Sequence, residues 1–249
     1  MDFHDRQAEL RRMTFVRHPQ RLLVDAERYL DHETWIRPAF ARLGNVAGKS
    51  ILDLGCGHGM ASVVLAARGA NVVACDLSAG YLAEARQRAI ANHVSVKFVQ
   101  ADAHRLPFAD ATFDRIWGNA IVHHLVADEA AREIHRVLKP TGQAIFCEPW
   151  GENPLLNWSR KRLHYHGKER TSDEKPLGRP ELLAFEKVFS HIEVQGFQLL
   201  AMLRRLMPGG LPIPFLEACD NFLLHAFPAM QRLCRYVVIV LKRDSQVPS

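Results

Sequence analysis

Cysteine is scarce and scattered. The 249 residues hold five, Cys56, Cys75, Cys147, Cys219 and Cys234, and none forms a C-x-x-C pair. That argues against a disulfide framework or a thiolate zinc site, and predicts reduced core thiols in a cytoplasmic chain. Long apolar runs are also missing, so no stretch is expected to span a bilayer. The opening MDFHDRQAELRR is charged from the start and has no apolar signal region. Repeats and low-complexity segments are absent. Neither sign of charge dominates: 32 Lys and Arg face 27 Asp and Glu, a formal +5. That small excess leans towards an anionic partner, whether nucleic acid, an acidic lipid surface or a small acidic substrate.

Two nucleotide motifs are missing where one might be sought. Ser50–Ser62 reads SILDLGCGHGMAS, an apolar run, an acid and three glycines at alternate positions. A dinucleotide turn needs G-x-G-x-x-G, its third glycine letting the helix pack on the strand. Counting from Gly55 puts Met60 at that place, and counting from Gly57 puts Ser62 there. A phosphate loop needs Lys after its last glycine, and none follows Gly59. The turn lets a ligand approach the backbone, but its spacing does not suit pyrophosphate. Asp53, just before it, suits a cation better than a phosphate.

What is present has a regular rhythm. AERYLDHETWIRPAFARLG has helical spacing and is stopped by Gly44. From Lys49 the chain alternates. SILDL, NVVACD, SVKFVQ, FDRIWG and QAIFCE read as strands; ASVVLAARG, SAGYLAEARQRAIAN and ADEAAREIHRVLKP read as helices between them. This implies a parallel sheet covered on both faces. Residues 151–180 break the rhythm with turn-rich, basic sequence. A helix over Glu181–Phe189, a strand in HIEVQGFQLLAM, an apolar helix over Phe215–Met230 and a strand in RYVVIVLKR follow. Asp76 closes the second strand, where an acid receives ribose hydroxyls, and Asp102 closes the third. Three acids at three strand ends suit a nucleoside with a positively charged tail.

These residues resemble the class I S-adenosylmethionine-dependent methyltransferases, of the small-molecule, metal-independent type. The likeness rests on ILDLGCGHG, VVACDLS, VQADAHRLPF and FDRIWGNAIVHHL…REIHRVLKPTGQAIFCEP, and covers roughly residues 49–149. It implies a Rossmann-like, doubly wound seven-stranded sheet in the α/β class, mostly parallel with an antiparallel last strand. Residues 1–48 would be an N-terminal helical lid. Residues 49–249 would be the methyltransferase domain, with an acceptor-binding insert at 151–180 and an apolar helix at 211–230. Asp53, Gly55, Gly57 and Gly59 would surround the amino-acid tail of S-adenosylmethionine. Asp76, with Leu77 beside it, would hold the ribose, Asp102 and Ala103 would face the adenine, and Asn119 would lie beside the methionine portion. The product would be S-adenosylhomocysteine. No metal is expected: Asn119 stands where the catechol-type enzymes place a metal-binding Asp.

Methyl transfer mainly requires alignment of the acceptor, helped by a base where its pKa demands one. His123, His124 and Glu148 are the candidate bases. Each also has a structural reading: pocket wall for the histidines, a support for the following loop for Glu148. Tyr29, Trp150, Arg162, His164, Tyr165 and His166 are the candidate acceptor contacts. The run SRKRLHYHGKER suits an anionic head and the LPIPFLEACDNFLLHAF segment an apolar body. The leading expectation is a biosynthetic enzyme acting on a small organic acceptor, as a monomer or homodimer. A nucleic-acid methyltransferase is the alternative, with little support: GNAI stands where an N/D-P-P-Y/F tetrapeptide would be. A non-catalytic cofactor-binding protein is the third reading.

Overall fold

The computed structural model describes residues 15–162, 175–205 and 213–244. Seven strands form one sheet: β1 (Ser50–Leu54), β2 (Asn71–Asp76), β3 (Val96–Gln100), β4 (Phe113–Asn119), β5 (Leu138–Pro149), β6 (His191–Phe197) and β7 (Tyr236–Lys242). Their order is β3-β2-β1-β4-β5-β7-β6. β1 to β5 pair in parallel, and β7 runs antiparallel to both β5 and β6. The expected doubly wound sheet with its antiparallel last strand is therefore present. The order reverses between β1 and β4, and the crevice at such a reversal is where open α/β sheets bind ligands.

The apolar sequence explains the layers. Ile51 to Leu54 are all buried because helices cover both faces of the sheet. Successive side chains point to opposite faces. Leu52, Ile116 and Phe146 join one core with Ile134 and Phe185; Ile51, Trp117 and Ile145 join the other with Leu65 and Phe40. The helices are α1 (Ala26–Leu30), α2 (Ile36–Arg42), α3 (Met60–Ala67), α4 (Ala79–Ala91), α5 (Ala127–Val137), α6 (Pro154–Arg162), α7 (Arg179–Glu186) and α8 (Ile213–Ala226). Ser78 starts α4 by accepting a hydrogen bond from Tyr81 N at 3.1 Å.

Three elements differ from their sequence reading. The helix expected over residues 26–43 is two, because Pro38 lacks the N–H a helix interior needs and fits only in the first turn of α2. Arg37 bridges the pair by binding Glu27 and Asp31. β6 stops at Phe197, where Gln198 takes a left-handed φ of +60°. The apolar helix ends at Ala226, since Pro228 opens a 3-10 turn over Pro228–Leu233. The N-terminal helices are built into the second core. Phe40 meets Trp117 edge-on at 4.3 Å, and Trp35 stacks on Tyr236 at 3.7 Å.

The turn after β1 generates a testable contrast. Gly59 has a φ of +78°, and a Cβ there would lie 2.7 Å from Ala85 Cβ; Gly57 has a φ of +50° with nothing within 4 Å. Left-handed backbone costs a side chain about 1–2 kcal/mol, and overpacking adds about 1–3. Gly59→Ala is expected to lower unfolding free energy by about 2–4 kcal/mol in denaturant titration, and Gly57→Ala by only about 1.

Candidate active site

The glycine turn is fixed from three directions. Gly55 has a φ of +67° and no room for a Cβ, which would come within 2.6 Å of Ile121 in the turn after β4. Gly59 rests on α4 through Ala85. Gly57 alone faces open space, and its N–H donates to Asp76 Oδ2 at 2.9 Å. Ser78 N donates to the other oxygen, Oδ1, also at 2.9 Å. An ionised carboxylate has about four acceptor positions, so Asp76 keeps capacity for donors from a ligand. Leu77 beside it is 66% exposed, an uncovered apolar side chain on the rim.

Asp102 lies beyond β3 and accepts from His104 N at 2.9 Å and His104 Nδ1 at 2.6 Å. These bonds hold its carboxyl below the usual range. His104 Nε2 accepts from Val126 N at 2.9 Å. That assigns the His104 proton to Nδ1 and ties the third crossover to the start of α5. Ala103 is partly buried against the first core. His104 carried no signal in the sequence beyond its nearness to Asp102.

Asp53 sits deeper than a rim residue. It is 2% exposed and accepts from Ser62 Oγ in the first turn of α3 at 2.5 Å. Burial pushes its carboxyl up to about 7, against the ordinary value of 3.8. Tyr29, from α1, is close enough for Asp53 to raise its phenol, after burial as the larger cause; Cys147 adds to this. The N-terminal region thus brings an aromatic hydroxyl within electrostatic reach of the first acid of the crevice. Arg88 pins that region down. Its buried guanidinium donates to His58 O in the glycine turn (2.9 Å), to Arg21 O (3.1 Å) and Leu22 O (3.3 Å), and to Glu84 (3.1 Å). Sequence reasoning missed it, since Glu84 and Arg88, four apart on a helix, look like an ordinary surface pair.

The ends of β4 and β5 meet in the tightest polar cluster. Glu148 has no exposed surface. Its Oε1 accepts from Ile121 N at 3.0 Å and Val122 N at 2.8 Å, and its Oε2 pairs with His123 Nδ1 at 2.6 Å. An ionised Glu148 fixes the His123 proton on Nδ1 and leaves Nε2 as the acceptor. Fully buried, Glu148 has its two oxygens engaged by these three partners. His124 is exposed, its ring 4.0 Å from that of His123. Asn119 is exposed at the strand end, and Ala120 next to it has a φ of +57°. Such strain persists only where surroundings enforce it.

The acceptor contacts divide. Trp150 is 6% exposed, packs in the first core and bridges to Leu177. Arg162 is exposed at the end of α6. His164, Tyr165 and His166 lie outside the described residues. A hollow of about 680 Å³, lined by Ser50, Asn71, His93 and Lys97, opens at the opposite edge, among the starts of the strands. It shares no residue with the glycine turn.

The methyltransferase domain family matches residues 52–146. A demethylmenaquinone methyltransferase of Clavibacter sepedonicus is 45% identical over 104 residues, 41% of this chain and 42% of that protein. A malonyl-[acyl-carrier protein] O-methyltransferase of Enterobacter lignolyticus is 41% identical over 97 residues, 39% of this chain and 37% of that protein. The chain spans about half the length, or less, of such curated relatives. Among solved structures, an S-adenosylmethionine-dependent methyltransferase from Mesorhizobium loti aligns with a TM-score of 0.58 at 20% identity, covering 86% of this chain and all of that one. The geranyl diphosphate C-methyltransferase of Streptomyces coelicolor A3(2), in complex with S-adenosyl-L-homocysteine, aligns with a TM-score of 0.57 at 18% identity, covering 84% and 78%. At these identities the structures share the fold. No helix among the described residues is long and apolar enough to cross a membrane.

Asp53 predicts a pH signature. Its folded pKa is raised, so the folded state binds the extra proton between about pH 4 and about pH 7. The stability it supports is intact below its unfolded value and is lost as pH rises through about 7. Melting of the ligand-free wild type should therefore fall relative to Asp53→Asn over that window and run parallel above it. Parallel melts throughout would show that Asp53 is not held protonated.

Proposed function

We propose that this chain, whose residues 52–146 are a methyltransferase domain of the S-adenosylmethionine-dependent class, transfers a methyl group to a small organic acceptor held over the ends of β4 and β5. One observation carries the reading. A sealed carboxylate, Glu148, orients a histidine beside the crevice that the glycine turn and Asp76 define.

The residues present fit the cofactor. Gly57 leaves space where a Cβ would stand. Asp76 has acceptor capacity for ribose hydroxyls, with Leu77 uncovered beside it. Asp102 and Ala103 bound the adenine side of the crevice, and Asn119 the methionine side. Asp53, raised by burial, is the group a nearby positive charge would return to its ionised form. The N-terminal helices act as a wall of the site through Tyr29 and, by way of Arg88, as a support for the glycine turn.

The bound cofactor supplies an activated methyl group on a positively charged sulfur. The protein's task is to align the acceptor and exclude water, which brings the reacting atoms together without further activation. His123 Nε2 would take the proton that the acceptor's nucleophile gives up. Glu148 holds the imidazole in the tautomer that allows this and stabilises the imidazolium that results, as carboxylates do in other histidine-base sites. The acceptor is a small biosynthetic metabolite with an apolar body and an anionic head; the relatives named for demethylmenaquinone and for malonyl-carrier substrates support the small-molecule class. Arg162, exposed at the end of α6, is a described cation within the insert expected to meet that head.

Incubation of the full chain with methyl-labelled cofactor and fractionated metabolite pools, read by mass spectrometry, tests the reading. Label should appear in a small-molecule fraction, and its absence from every fraction would overturn it. His123→Gln should lower transfer by about 10²–10⁴-fold while calorimetric affinity for S-adenosylhomocysteine is kept. Asp76→Ala should weaken that affinity by about 1.5–3 kcal/mol, the loss of a charged hydrogen-bond acceptor.

A further inference from the structure

His104 is bound at both ring nitrogens. Nδ1 donates to Asp102 Oδ1 at 2.6 Å, and the His104 backbone N–H donates to the same oxygen at 2.9 Å. Oδ2 takes no bond among the described residues, and the Asp102 side chain is 56% exposed. A carboxylate gripped on one oxygen presents the other in a fixed direction. On the far side of the ring, Nε2 accepts from Val126 N at 2.9 Å. The imidazole does both only as the neutral Nδ1–H tautomer, because a second proton on Nε2 would face the Val126 N–H.

The Val126 bond is not the local one. Val126 is the N-cap of α5 and has no side-chain oxygen to bond the first turn. In a capping box the N-cap N–H goes to an acid three residues on. Glu129 stands at that place, yet the bond crosses 22 residues to His104 instead. The rest of the connection is held by α5 itself. Leu106 N donates to Glu133 Oε2 at 2.8 Å, and Arg136 donates to Leu106 O at 3.0 Å and Phe108 O at 2.7 Å. The segment from Asp102 to Phe108 is thereby mounted on α5. That helix follows the Val122–His124 turn, which carries His123, and Leu125 N donates back to Val122 O at 3.0 Å.

We propose that His104 is a positioning residue for methyl transfer: it aims Asp102 Oδ2 at the adenine amine of the cofactor and, through Val126, sets the His123 turn in register with it. The amine is a donor, and an acceptor-only carboxylate held in one direction is its complement. An untethered Asp102 would sample several rotamers. Fixing it beforehand removes that ordering cost from binding. One imidazole thus joins the adenine end of the crevice to the turn that holds the base. The inference deepens the cofactor reading of Asp102 and rests on it.

The wild-type full chain supplies the first readout, which needs no variant. Ring-nitrogen NMR should show His104 as the Nδ1–H tautomer, and an Nε2–H ring would overturn the relay. Calorimetry with S-adenosylhomocysteine supplies the second. His104→Ala should weaken binding about tenfold, the loss of one charge-assisted hydrogen bond. Asp102→Ala should weaken it at least as far, and adding His104→Ala to Asp102→Ala should change it no further. Unchanged affinity in His104→Ala, or losses that add in the double variant, would overturn the proposal. Amide NMR supplies the third. Shifts at Val122–His124 on saturation with S-adenosylhomocysteine should appear in the wild type and be lost in His104→Ala; the same shifts in both would overturn it. Glu129, at the capping-box position, can take over the freed Val126 N–H, so an unchanged melting temperature serves as the folding control. A wild type that binds no S-adenosylhomocysteine would overturn the cofactor reading and this inference together. Wild-type binding that is indifferent to His104 would overturn the inference alone.

Discussion

The Glu148 carboxylate is the interaction on which the rest of the site depends. A buried carboxylate is tolerated only when its oxygens are satisfied, and here two backbone N–H groups and an imidazole do so. The two N–H groups fix the turn after β4 against the end of β5. That turn in turn supplies Ile121, whose side chain leaves Gly55 no room for a Cβ. The glycine turn after β1 thus takes its shape partly from a carboxylate two strands away. Had Glu148 been exposed, it could serve as a base but could not hold this geometry.

A second constraint runs through Arg88. One buried guanidinium reads three backbone carbonyls, one in the glycine turn and two in the segment that leads into α1. Its partner Glu84 is buried as well, so the pair is screened little by solvent. The arrangement couples the N-terminal region to the turn. The N-terminal helices contribute to the second core, with Trp35 stacked on Tyr236 and Phe40 edge-on to Trp117.

The sheet is largely legible because its inner strands, β1 and β7 above all, are buried on both faces and read as apolar runs. NVVACD and SAGYLAEARQRAIAN fall on β2 and on Ser78 with α4 nearly residue for residue. Where the reading failed, a local rule outweighed a periodic one: Pro38 divided the first helix and Pro228 shortened the last. At the site, residue types were legible but their depth was not. Asp53 and Glu148 look alike in the sequence as acids at strand ends, yet both are sealed, while Asp76 and Asp102 stay nearer the rim. The burial of Trp150 is likewise not legible, because a tryptophan after a strand has no pattern that separates core from rim. The pairing of His104 with Asp102 and Val126 joins segments more than twenty residues apart, which no spacing could announce.

The most direct test of this account is an amide-resolved NMR titration of the full chain with S-adenosylhomocysteine. Saturable, one-to-one shifts at Gly57, Asp76, Leu77, Asp102 and Ala103, spreading to the Ile121–His123 turn, are predicted. Lack of binding, or shifts confined to Ser50, Asn71 and Lys97 at the opposite edge of the sheet, would contradict it.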